Sequence, residues 1–183
     1  MVGDDELYLA FLKGDTTSYD KLMLRYGDNL TCYLKGFLSS MEDAEDIMIE
    51  AFAWIMAKKP KIREGNFKAY LFRIGHNMVF HYYKKAKRME VFSLNDIDEE
   101  LPDGEHFEDK ILDDERKRAL HRSMARLDPE LREAIWLIYF EKMKYDNAAG
   151  IMGISKKKLD NLLTKAKKLL KTELKKEGIE DAY

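Results

Sequence analysis

Between Tyr19 and Phe37 apolar side chains return every three or four residues, at Tyr19, Leu22, Met23, Tyr26, Leu30, Tyr33, Leu34 and Phe37. That spacing follows the turn of an α-helix and gathers the apolar groups on one face. A strand is excluded, because its side chains alternate with a period of two. A second stripe, Ala44, Ile47, Met48, Ala51 and Ile55, follows the pattern Ser40-x-x-Asp43, which suits a capped helix start, and Lys59-Pro60 ends it. A third helix is predicted from about Asn66 to Arg88, with Phe67, Leu71, Ile74, Met78 and Tyr82 on one side. One-sided helices need partners, so these three, with a short leading helix around Leu7 to Leu12, predict a small all-α bundle over residues 1–90.

Charge divides the rest of the chain. From Glu90 to Glu115 there are twelve acidic residues and one lysine, whereas Ser155 to Lys176 holds nine lysines against Asp160 and Glu173. The net charge of -2 therefore hides an acidic middle and a basic end. Irregular apolar spacing and dense carboxylates over residues 91–108 read as a solvated linker. A second helical domain is expected over 109–178, with 179–183 as a tail. In it, Asp128-Pro129-Glu130 suits a helix start, with Asp128 as N-cap and Pro129 at the first helical position, and that helix runs to about Glu141. Ala148, Ala149 and Met152 then suit a short helix, Gly153 a tight turn and Ser155 the cap of a last helix. This is helix-turn-helix spacing over 145–176. In the last helix Leu159, Leu162, Leu163, Ala166, Leu169, Leu170 and Leu174 form the inner stripe, so Lys157, Asn161, Thr164, Lys168 and Lys171 face away from it. A basic outer face on such a helix can lie in the major groove with its lysines near phosphates. The plainer reading is a solvated lysine face; the short helix and glycine turn before it favour DNA.

The third helix of the first block is unusual on its other side. Phe72, His76, Phe80 and Tyr83 lie there beside Arg73, Lys84 and Lys87. Aromatics interleaved with cations stack unpaired bases while tracking their backbone. The competing reading is a helix wrapped by the bundle on both sides.

Other classes find little support. Cys32 stands alone, and the four histidines (His76, His81, His106, His121) have no metal-ligand spacing with it. No nucleophile-base pattern or phosphate-cradling glycine loop occurs, so neither an enzyme nor a cofactor is expected. No apolar run is long enough to span a membrane, and the acidic start MVGDDE does not resemble a signal peptide, so a cytoplasmic protein is expected.

The segments DAEDIMIEAFAWIM (Asp43 to Met56), FKAYLFRIGHN (Phe67 to Asn77) and YYKKAKR (Tyr82 to Arg88) resemble region 2 of the extracytoplasmic-function (ECF) sigma factors of the sigma-70 family. LDPELREAIWLIYFEKMKYDNAAGIMGIS (Leu127 to Ser155) resembles their region 4. The resemblance implies a promoter-specificity subunit of bacterial RNA polymerase. It implies docking of Asp43, Glu45, Asp46, Glu50 and Trp54 on the clamp helices of the polymerase β′ subunit. It also implies capture of the melted −10 element by Lys61, Arg63 and Asn66 of the loop Lys61 to Asn66 and by the helix that follows. On that helix the positions are Phe72, Arg73, His76, Asn77, Phe80, Tyr83, Lys84 and Lys87, with Asn77 near the flipped-out base. Region 4 implies contact of its leading helix with the β flap and binding of the duplex −35 element through Ser155, Lys156, Lys157, Lys158, Asn161, Thr164, Lys165 and Lys168. Here the chain departs from the family: Lys156-Lys157-Lys158 is followed by Asp160-Asn161-Leu162, with Leu162 near the position where an arginine is usual, so lysine contacts to the DNA backbone are expected ahead of base reading. An anti-sigma factor is a possible further partner. The acidic linker is expected to thread toward the polymerase active centre, with Asp98, Glu99 and Glu100 affecting abortive initiation.

Two other functions fit parts of the chain. A stand-alone helix-turn-helix regulator uses only the basic helix and a dimer partner, and leaves the first block without a task. An adaptor that keeps polymerase contacts but not DNA binding is suggested by Asp160 and Leu162.

Overall fold

The structure, a computed structural model, describes residues 2–90 and 114–178, with backbone only for 84–90 and 114–117. The expected acidic linker 91–108 and tail 179–183 lie outside the described residues. The chain divides into two compact units, Met1–Glu100 and Leu101–Tyr183. Every regular element among the described residues is helical.

The first unit contains α1 (Asp4–Leu12), α2 (Thr16–Lys35), α3 (Met41–Lys58) and α4 (Phe67–Glu90). Polar caps set where α2 and α3 begin. The Asp15 carboxylate accepts from the Thr17 and Ser18 backbone N–H groups and from both their hydroxyls, at 2.7 to 3.4 Å. Ser40 Oγ accepts from the Asp43 N–H at 2.9 Å and starts α3 at the residue after it, as its sequence pattern predicts. Lys59 ends α3 in the left-handed region (φ 45, ψ 52), and Pro60 cannot continue the helix.

The core of this unit takes Leu7, Tyr8 and Phe11 from α1, Tyr19, Leu22, Leu30, Tyr33 and Leu34 from α2, Ala44, Ile47, Ala51, Phe52 and Ile55 from α3, and Phe67, Leu71, Phe72 and Val79 from α4. Each large side chain removed from water here contributes about 1.5 to 3 kcal/mol. Tyr19 satisfies its buried hydroxyl by donating to the Phe52 carbonyl at 2.6 Å.

The second unit contains α5 (Asp114–Ala125), α6 (Pro129–Ile135), α7 (Tyr145–Met152) and α8 (Lys156–Lys176). Helices α5, α6 and α7 all pack on α8, whose Leu159, Leu163, Ala166 and Leu174 are buried. Asp128 precedes α6 as expected, with Pro129 at its start, but its side chain makes no capping bond; its carbonyl takes the N–H groups of Leu131 and Arg132 at 3.0 Å instead. The helix expected to reach Glu141 changes pitch: Trp136–Phe140 is a π-helical turn closed by the Glu141 N–H on the Trp136 carbonyl at 3.0 Å. Trp136 and Phe140 stack there, 4.8 Å apart and nearly parallel.

No helix among the described residues is long and apolar enough to cross a membrane.

Candidate nucleic-acid and polymerase interfaces

The two faces of α4 differ from the sequence expectation. Its buried positions are Phe67, Leu71, Phe72, Gly75, His76 and Val79, a band wider than one stripe, because α1, α2 and α3 all lie against it. Phe72 is 0% exposed, with its ring 5.3 Å from that of Tyr33. His76 is 7% exposed; its Nδ1 shares a 3.0 Å hydrogen bond with the Tyr33 hydroxyl, and its ring lies 4.6 Å from Phe80. The expectation that Phe72 and His76 present rings to DNA is therefore corrected: both belong to the bundle interior. Conversely Tyr82, read as part of the inner stripe, is exposed, and Ile74 and Met78 are half-buried. The inner face has turned away from residues 74, 78 and 82 toward 72, 76 and 79.

What remains outside is narrower. Arg73, Asn77 and Phe80 recur at steps of four and three, so they form one exposed strip. Phe80 is 55% exposed, although its ring meets His76 on one side. Tyr83 is exposed on its ring, while its hydroxyl donates to the Phe37 carbonyl at the end of α2. Tyr82 leans the other way, its hydroxyl 3.4 Å from Asp43 of α3. The Asp43 charge pushes the Tyr82 phenol up, and burial does the same to Tyr83, so both keep their protons. The side chains of Lys84 and Lys87 lie outside the described residues.

The loop before α4 carries Lys61 and Arg63, both exposed, and half-buried Asn66. A turn closes between the Arg63 carbonyl and the Asn66 N–H at 3.1 Å, and the Asn66 side-chain amide donates to the Glu64 carbonyl at 3.0 Å. One donor of Asn66 is thus used within the loop.

On α3 the expected acidic positions fall on the outside. Glu45, Asp46 and Glu50 are exposed, Asp43 is half-buried, and Trp54 is 38% exposed. Two residues that sequence reasoning passed over join them: Ile49, 51% exposed, and Met56, 44% exposed. Their signal was legible, since each is apolar at an outward helical position, with Ile49 beside Glu50. Ile49 and Met56 give this otherwise acidic face an apolar component.

In the second unit Gly153 ends α7 with φ 64, and the Ile154 N–H returns to the Ala149 carbonyl at 3.0 Å. This left-handed stop needs glycine, and it turns the chain directly into α8. Ser155 caps α8, its Oγ accepting from the Lys158 N–H at 3.2 Å, so its hydroxyl is engaged at the helix start. The lysines separate into two groups. Lys156 pairs with Asp146 and Lys158 with Glu130, both within the unit. Lys157, Lys165 and Lys168 are exposed with no such pairing among the described residues, and Asn161 and Thr164 lie between them on the same outer surface. Leu162 is half-buried at the edge of the packed stripe, whereas Leu169, expected inside, is exposed at its rim. Lys167 lies against Tyr139, its ammonium 5.0 Å from the ring centroid. At the far end Arg122 of α5 and Arg126 just after it pair with Glu173 and Glu177, whose carboxyls are held below the usual range, chiefly by hydrogen bonds from Lys176 and Arg122 respectively.

Two family models match the chain in order: sigma-70 region 2 over residues 22–89 and sigma-70 region 4 over residues 117–170. The RNA polymerase sigma-H factor of Pseudomonas aeruginosa is 26% identical over 158 residues, covering 81% of this chain and 82% of that protein. The ECF RNA polymerase sigma factor SigM of Bacillus subtilis is 26% identical over 166 residues, covering 88% and 98%. Among solved structures, CnrH in complex with the cytosolic domain of CnrY is similar at a TM-score of 0.65 and 22% identity, covering 94% of this chain and 97% of that one. RpoE of Bartonella quintana, in complex with the anti-sigma factor NepR, follows at 0.64 and 24%, covering 86% and 96%. These two likenesses speak for the fold. The family models speak for more, because a stand-alone helix-turn-helix regulator has no use for region 2. The chain belongs to the sigma-70 family and is an ECF RNA polymerase sigma factor.

Proposed function

We propose that the two units divide promoter recognition by strand state: the first holds the melted −10 element and the second holds the −35 element as duplex. The strip of Arg73, Asn77 and Phe80 carries this reading. An exposed ring beside a guanidinium and an amide offers a base its stacking surface, its backbone charge partner and its hydrogen-bonding edge together. Bases inside a duplex are already stacked, so the strip gains most from strands that have come apart. Lys61, Arg63 and Asn66 of the preceding loop, with Tyr83, extend the surface, and Lys84 and Lys87 continue it by sequence spacing.

Helix α8 offers the opposite chemistry. Lys157, Lys165 and Lys168 are point charges on one outer surface without an aromatic among them, which suits phosphates of an intact double helix. Asp160 sits among them and repels phosphate unless it accepts from a cytosine amino group. Lys156 and Lys158 are neutralised locally by Asp146 and Glu130, so they contribute less than their position suggests. The second unit therefore anchors more than it reads.

The acidic and apolar face of α3, with Asp43, Glu45, Asp46, Glu50 and Trp54, is the proposed dock for the β′ clamp helices, and Ile49 and Met56 add apolar area to it. The exposed Tyr139 and Phe140 of the π turn suit the β flap. Both structural neighbours were solved with a protein partner, one of them an anti-sigma factor, which supports an anti-sigma partner for this chain as well. The work of such a protein is done in the cytoplasm.

Reconstitution with bacterial core polymerase tests this reading. Transcription from a genomic library, with start sites mapped and the shared upstream sequence read, identifies the promoter. Permanganate reactivity of its −10 thymines should then require both the chain and core polymerase. Tight sequence-specific duplex binding without core would support the stand-alone regulator, and polymerase binding without run-off transcription would support the adaptor.

A further inference from the structure

Helix α1 makes a set of contacts that its own packing does not require. Its inner face, Leu7, Tyr8 and Phe11, is buried in the bundle. Two of its polar groups reach the backbone of the loop before α4. The Asp5 carboxylate accepts from the Gly65 N–H with both oxygens, at 2.9 and 3.0 Å. The Tyr8 hydroxyl donates to the Pro60 carbonyl at 2.6 Å. Burial pushes that phenol up to about 12, so it remains a proton donor across the working range. The two bonds grip the loop near each end, and Lys59 at its entry lies over the Phe11 ring, 5.1 Å from the centroid. The Tyr8 ring is also 5.4 Å from Phe67, the first residue of α4, so the same side chain locates the loop exit.

Helix α1 is in turn tied to α2. Asp4 accepts from Arg25 and from the Tyr26 hydroxyl, and the Val2 carbonyl accepts from Arg25 Nη2 at 3.0 Å. The loop itself has few means of holding its shape. Residues 61–63 have no regular structure, Gly65 takes φ +71, and the Arg63 to Asn66 turn is its one internal backbone bond. Without α1 the segment that carries Lys61 and Arg63 would sample many conformations.

We propose that α1 is a positioning strut for DNA capture: Asp5 and Tyr8 hold the loop of residues 60–65 at both ends, so that base selectivity for the single strand depends on residues that never touch DNA. This rests on the −10 reading above. The physical basis is preorganisation, since a loop already in its binding conformation loses less freedom on binding and discriminates between bases by fixed geometry.

The test uses full-length chain in holoenzyme with bacterial core polymerase. A randomised single-stranded DNA pool is selected on wild-type holoenzyme, and the selected sequence and its single-base variants are then measured against wild type, Asp5→Ala, Asp5→Asn and Tyr8→Phe. Asp5→Ala is expected to lower the ratio of matched to mismatched binding about tenfold at one or two positions, while affinity for core stays within about twofold. Asp5→Asn keeps an oxygen for the Gly65 N–H and should recover most of the ratio; Tyr8→Phe should shift it in the same direction as Asp5→Ala. Thermal unfolding of each variant separates loop positioning from general destabilisation, which would lower core affinity and all DNA affinities together. Wild-type ratios in Asp5→Ala, or equal loss of selectivity and core affinity with no recovery in Asp5→Asn, would overturn the strut. If wild-type holoenzyme shows no base preference on single strands, the −10 reading fails and the strut fails with it.

Discussion

Phe72 and Phe80 lie on the same helix, and side-chain type alone does not distinguish them, yet one is wholly buried against Tyr33 and the other is left to solvent. Their substitutions should therefore diverge. Phe72→Ala is expected to destabilise the first unit by about 3 to 5 kcal/mol, the usual loss for a buried phenylalanine. Phe80→Ala should leave stability within about 0.5 kcal/mol, as for a surface site, and reduce promoter opening while core binding persists. Urea denaturation and permanganate footprinting check the two halves, and parallel losses in both assays would return Phe80 to the core. Ser123 offers a second residue-scale prediction. It is 0% exposed in α5, and its Oγ has no hydrogen-bond partner among the described residues. Ser123→Ala removes an unsatisfied buried hydroxyl and adds a better helix former, so it should stabilise by roughly 1 kcal/mol. A less stable variant would mean that a buried water serves that hydroxyl.

At the scale of the element, helix beginnings are set by side chains close in sequence, and one of them is titratable. The hydroxyls of Ser18 and Thr17 hold the Asp15 carboxyl at about 2, below its ordinary 3.8. A carboxyl lowered on folding stabilises the fold above its unfolded value and stops doing so as pH falls through the folded one. The difference in urea midpoint between wild type and Asp15→Ala should hold from neutral pH down to about 5 and close between about 4 and 2. Asp15→Asn should show no such pH dependence. A gap that persists at the acid end would mean that the cap works without its charge. The caps and turns were also the most legible parts of the chain. Ser40, Pro60, Gly153 and Ser155 each act through neighbours within five residues, and each does what its position predicts. Asp128 is the exception, holding the right place while its carbonyl, and not its side chain, makes the bonds. The π turn at Trp136–Phe140 left no mark in the periodicity, because one extra residue in a turn shifts an apolar pattern too little to see over five positions.

For the whole molecule, the division between a stacking surface and a lysine surface predicts different salt behaviour at the two promoter elements. Replacing Lys157, Lys165 and Lys168 with alanine should weaken binding to all duplex sequences alike and reduce the salt slope by about 2 to 3, since each phosphate left without its lysine lowers the slope by roughly 0.9. Filter binding of holoenzyme across a salt series measures it, and an unchanged slope would remove α8 from the DNA. The sequence by itself determined the helical class, the position of the helix-turn-helix and the outward lysines of α8. All of these follow from periodicity and local capping, which a single helix carries in its own residues. Only the tertiary structure decided which aromatics of α4 are free, since a stripe tells which side of a helix is apolar but not how many neighbours press on it. Three helices pack against α4, so its buried band widened to take in Phe72 and His76. The same holds for Asp5 and Tyr8: their partners lie 60 and 52 residues away in the chain. No spacing rule reaches that far, and only the folded bundle brings α1 to the loop.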